Sequence, residues 1–167
     1  MSITKKTGTI IVALSLFTLT SFAQENKKTT GYQGIVELGG AKFVKYERAP
    51  FLGTVDFING YKFNPLFSMG IGVGILFSTK DIGAKDSYIV PLYVNFRVNF
   101  DSGHKVFPYI QTKLGIAFAS GIQLAIMHHS FGICFKESPI SIGLSGEMLD
   151  IHGMHVNSIG LNIGFSF

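Results

Sequence analysis

The sequence predicts an all-β fold, an eight-stranded antiparallel up-and-down transmembrane barrel, on three observations. Apolar residues recur at every second position in several separate segments, the period of a strand whose side chains point alternately to two faces. The composition suits strands: 16 Phe, 6 Tyr and 20 Gly in 167 residues, with 14% charged against a usual share of about 25%. The residues alternating with the bulky ones are small or polar, and the charges among them carry both signs.

Residues 1–23 read as a cleaved secretory signal peptide. Lys5 and Lys6 precede an apolar run from Thr9 to Leu19, too short for a spanning helix of about 20 residues. Ser21 and Ala23 put small residues at the two positions that signal peptidase reads, so cleavage is expected before Gln24. Residues 24–30, QENKKTT, form a polar, flexible lead-in. The barrel then occupies 31–167.

The first strand falls within 31–46, where Gly39-Gly40 suggests a bulge or bend, and the second within 51–63. Asn64-Pro65 turns the chain into the third, in which Phe67, Met69, Ile71, Val73, Ile75 and Phe77 alternate with Ser68, Gly70, Gly72 and Gly74. The fourth, 90–100, opposes Val90, Leu92, Val94, Phe96, Val98 and Phe100 to Tyr93, Asn95, Arg97 and Asn99. The turn DSGHK leads to a fifth strand at 106–119, and Ser120-Gly121 to a sixth at 125–136. The turn KESP precedes the seventh, 140–148; the loop DIHGMH separates it from the eighth, 158–167. An even number of strands joined neighbour to neighbour closes into a meander with both ends on one side.

Alternation does not say which face is inside, but the glycines and charges do. A glycine row facing water gains little; inside a narrow eight-stranded barrel it leaves room for long side chains from other strands. With the bulky positions outward, Glu37, Asp56, Lys62, Arg97, Lys113 and Glu147 fall inside with Tyr93, three charges of each sign. Similar heights along the strands suggest Glu37–Arg97 and Asp56–Lys113 as partners. The aromatic residues Phe51, Phe63, Tyr88, Phe100, Phe107, Phe165 and Phe167 sit at strand ends, where a membrane girdle requires them. Such a bore is filled by its own side chains, so no open channel is expected.

GYQGIVELG (31–39), NGYKFNPLFSMGIGVG (59–74), VPLYVNFRVNF (90–100) and VFPYIQTKLGIAF (106–118) resemble the small outer-membrane β-barrel proteins of Bacteroidota-type bacteria. The matching motifs are the turn Gly60 to Pro65 and the strand Pro91 to Phe100. The resemblance implies an outer-membrane location, outer-membrane lipid as surroundings, and the assembly machinery as a biogenesis partner that reads the terminal aromatic Phe167. It implies little about activity. It fades over 119–136, which is less polar than an exposed loop.

The net charge of +4 is scattered and includes both signal lysines, so nucleic-acid binding is not suggested. The lone Cys134 has no internal disulfide partner and reads as a small semi-buried residue. No cofactor motif is present: GIGVG is followed by no helix and belongs to a strand. A structural or surface-interaction role without enzymatic activity is the leading expectation. One alternative is a soluble periplasmic barrel, bulky face inward, binding a small apolar ligand. Another is a rim site, in which His128 and His129 at the start of strand six meet His152 and His155 of the last loop to bind a metal. The same rim offers a lipid hydrolase, with His128-His129-Ser130 supplying base and nucleophile and Glu147 the acid.

Overall fold

A computed structural model describes residues 30–44, 51–78, 88–119, 122–151 and 154–167. The expected signal peptide and most of the lead-in lie outside them. Eight strands follow one another: β1 (Gly31–Phe43), β2 (Phe51–Lys62), β3 (Phe67–Ser78), β4 (Tyr88–Asn99), β5 (Val106–Ala119), β6 (Ile122–Phe135), β7 (Ile140–Ile151) and β8 (Met154–Ser166). Each pairs antiparallel with its neighbour, and β1 closes on β8 to complete the barrel. Closure leaves no unpaired sheet edge, which spanning hydrocarbon demands.

The polarity is the one that the glycine row and the charges predict. Ile71, Ile159 and Leu144 are 70%, 62% and 60% exposed on the outer face, whereas Arg97 and Gln111 are 2% and 0% exposed within. The soluble, apolar-ligand alternative needs the reverse polarity and is excluded by it.

The glycine row does make space. A Cβ at Gly72 would run into the Tyr93 ring, and one at Gly74 into the Asp56 carboxylate. On the outer face the ring of Phe51 covers Gly40, that of Phe77 covers Gly53, and that of Phe167 covers Gly34. Phe167, unlike Phe51 and Phe77, is buried, and its backbone pairs with Gly34 in both directions. It does not stand in an exposed girdle, and Phe107 is half-buried; Phe51, Phe63, Tyr88, Phe100 and Phe165 are exposed.

Three other expectations are corrected. Gly39-Gly40 makes no bulge: both stay in continuous register, opposite Thr54 and Gly53. β6 begins at Ile122, so His128 is a mid-strand residue and not a rim residue. β7 and β8 run on until Ile151 pairs with Met154, which puts Asp150 and His155 opposite each other in the ladder. Local polarity had suggested a loop there, but pairing with a neighbouring strand satisfies the backbone along the whole hairpin.

Candidate functional site

The interior is layered. At the end where β1 begins and β8 finishes, Arg97 on β4 is the centre. Its Nε donates to Asn99 Oδ1 at 3.1 Å, one terminal nitrogen donates to Gln111 Oε1 at 3.1 Å, and the other to Cys134 Sγ at 2.9 Å. Its guanidinium lies 3.9 Å over the Tyr109 ring. Tyr109 has this room because its cross-strand neighbour is Gly132, which in turn faces Gly143, and a Cβ on Gly143 would strike the Tyr109 hydroxyl.

Above it stands Lys113 on β5. Its ammonium contacts Glu37 at 2.5 Å and Asp56 at 2.8 Å. Gln111 Nε2 donates to Glu37 Oε1 at 2.8 Å, and Arg97 stands 3.9 Å from the same oxygen. Glu37 thus links the two cations. Lys113 also lies 5.2 Å from the ring of Tyr93, which occupies the space above Gly72. Charges this far from water are tolerable only because each meets an opposite charge and directed hydrogen bonds.

The sequence-predicted inner residues divide accordingly. Glu37, Asp56, Tyr93, Arg97 and Lys113 come together. Glu147 faces the bore opposite His128 and Ser158, without a cation within ion-pair reach among the described residues. Lys62 ends β2 half-buried at the mouth, outside the network. Alternation also assigns Tyr109, Gln111 and Asn162 to the bore. Cys134 carried no sequence signal for its role: it is a soft acceptor for Arg97.

Toward the opposite end the inner face turns apolar. Leu76, Ile89, Ala117, Ala119, Leu124, Ile126 and Leu149 form one buried cluster; Ala41, Phe43 and Leu52 form another, and Val156 packs against both. Two small spaces between the ionic layer and this plug are about 10 Å³ each, both bordered by Asp56, Lys113, His128 and Glu147. That is room for a single water apiece.

His128 and His129 do not come together as the expected rim site requires. His128 is buried in the bore, and His129, one residue on, faces out, where its Nδ1 is 3.0 Å from Thr112 Oγ1. Adjacent strand residues point to opposite faces, so the two imidazoles cannot share a metal. His152 lies outside the described residues. His155 is in β8, in register with Asp150. No group of three or more His, Cys, Asp or Glu suited to a metal occurs among the described residues. Ser130 is 3% exposed and faces the bore with His128, so the expected nucleophile does not meet lipid.

A closed eight-stranded meander, apolar outside and ionic within, defines the class of small outer-membrane-type transmembrane β-barrels. Solved structures agree on the fold. Neisserial surface protein A matches with a TM-score of 0.62 and 12% identity, over 82% of this chain and 97% of that one. The N-terminal β-barrel domain of Pseudomonas aeruginosa OprF matches at 0.55 and 14%, over 83% and 99%. The outer membrane enzyme PagL matches at 0.55 and 12%, over 80% and 98%. Identities this low speak for fold alone. No protein-family model matches the sequence, and no curated protein matches it.

Proposed function

We propose that this chain is an integral outer-membrane protein with a sealed barrel and a structural or surface-interaction role, and that it is not an enzyme. The observation that carries the reading is the double seal of the bore: an ionic layer around Glu37, Asp56, Arg97 and Lys113, then an apolar plug around Leu76 and Leu149. A conducting pore needs continuous water, and the spaces of about 10 Å³ beside these layers favour a closed bore.

The chemistry of the outer surface supports the location. A broad belt of exposed Ile, Leu, Val, Met and Phe would aggregate in water but is at home in lipid. In this reading the chain is exported through a signal peptide ending at Ala23, its termini face the periplasm, and the outer-membrane assembly machinery recognises its C-terminal strand. The motifs at Gly60–Pro65 and Pro91–Phe100 favour a place among the Bacteroidota-type barrels.

The test joins membrane fractionation to planar-bilayer recording. The expected result is a heat-modifiable band in the outer-membrane fraction and no discrete conductance steps. Recovery without detergent would overturn the location; large, stable single-channel openings would overturn the seal.

A further inference from the structure

Midway along β6 the apolar belt is interrupted by an ionisable side chain. His129 faces outward from the eighth of the fourteen residues of β6, and its cross-strand neighbours are Thr112 on β5 and Gly146 on β7. Above and below it on those three strands stand Ile110, Leu114, Met127, Phe131, Leu144 and Met148, all exposed. His129 is six residues from the end of its strand at Phe135, which at ~3.3 Å per residue and a tilt of ~40° places it about 15 Å up a belt about 25 Å tall. That is near the middle of the hydrocarbon.

At this depth Thr112 satisfies one ring nitrogen, since its hydroxyl is 3.0 Å from Nδ1. The other, Nε2, has no partner among the described residues. Acyl chains offer no hydrogen bond, and headgroups lie too far away. A polar nitrogen left toward hydrocarbon is costly, so such groups ordinarily meet another polar group. Beside the imidazole is a dent: the nearest atom to a Cβ built on Gly146 is the Ser158 carbonyl oxygen, 3.9 Å away.

We propose that the face formed by β5, β6 and β7 around His129 is a homodimer interface within the membrane, an inference that rests on the membrane reading above. The occupant follows from depth. Every copy of this chain inserted the same way carries His129 at the same height, so a two-fold axis along the membrane normal brings two imidazoles together without vertical adjustment. Their chemistry is self-complementary. A Thr112 hydroxyl that donates to Nδ1 leaves Nε2–H as a donor; one that accepts from Nδ1–H leaves Nε2 as an acceptor. One copy in each tautomer gives an Nε2–H···Nε2 bond. The dents at Gly146 let the two surfaces approach, as small residues do at helix interfaces in membranes.

The test uses the full chain in membranes, with His129 intact. Leu144→Cys puts a thiol on the proposed face, and Ile71→Cys puts one on the far side of the barrel; the native Cys134 is buried in the bore. The expected result is oxidative cross-linking of the 144 variant several-fold above the 71 variant, falling to the 71 level when His129→Leu is added. Heat-modifiable migration of each variant reports that the barrel has formed. Cross-linking at 144 no stronger than at 71 overturns the interface. Strong cross-linking that survives His129→Leu overturns the role of the imidazole. A chain found in the soluble fraction would defeat the membrane reading and this inference with it, whereas an embedded barrel that fails to cross-link defeats this inference alone.

Discussion

Replacing Lys113 with Met removes the one cation that both Glu37 and Asp56 contact directly, at 2.5 and 2.8 Å, while keeping nearly the same volume. The two carboxylates, 1% and 6% exposed, can recover at most a water or two from the adjoining spaces of about 10 Å³, far short of full hydration. Glu37 keeps the Gln111 amide at 2.8 Å and the more distant Arg97 at 3.9 Å. Asp56 loses its ion-pair partner outright. Removing one side of a buried pair costs about 3–5 kcal/mol, most of it the stranded charge. With a urea slope of about 2 kcal/mol per M, the unfolding midpoint should fall by about 1.5–2.5 M. The chain has no Trp, so the assay is the heat-modifiable band after urea titration in lipid vesicles. Lys113→Met combined with Asp56→Asn removes the stranded charge and should recover more than half of the loss. A loss below about 1 kcal/mol for the single variant, or no recovery in the double, would refute the idea that ion pairing holds this layer.

Three further outcomes follow from the same geometry. Gly72→Val forces the Tyr93 ring out of its place and should cost about 1–3 kcal/mol, with the loss reduced in Gly72→Val/Tyr93→Leu; additive losses in urea titration would contradict the contact. Ile71→Arg on the outer face should cost about 2–4 kcal/mol in a lipid bilayer, and unchanged refolding into vesicles would argue that this face does not touch hydrocarbon. Cys134, buried beside Arg97, should resist maleimide in the folded barrel and react fully in urea; equal labelling in both, read by mass spectrometry, would show an open bore.

The period-two pattern by itself determined the strand-rich fold, its order of elements, and the two faces of each strand, because backbone pleating converts sequence parity directly into direction. Composition then settled which face turns out: a row of glycines opposite bulky residues has a physical use only in a crowded interior, and Tyr93 over Gly72 and Asp56 over Gly74 show what it accommodates. Parity alone already separates His128 from His129, since both fall within the expected sixth strand, 125–136; the ladder adds that they stand at mid-strand. The true start of that strand depends on the ladder with β5, where Ala119 pairs with Ile122. Contacts across the bore were decided only by closure. That Lys113 reaches Glu37 as well as Asp56, that Cys134 meets Arg97, and that an apolar plug caps the ionic layer depend on the stagger of eight strands around a common axis. No local segment records that stagger, since it arises from the register of every pair in the ring.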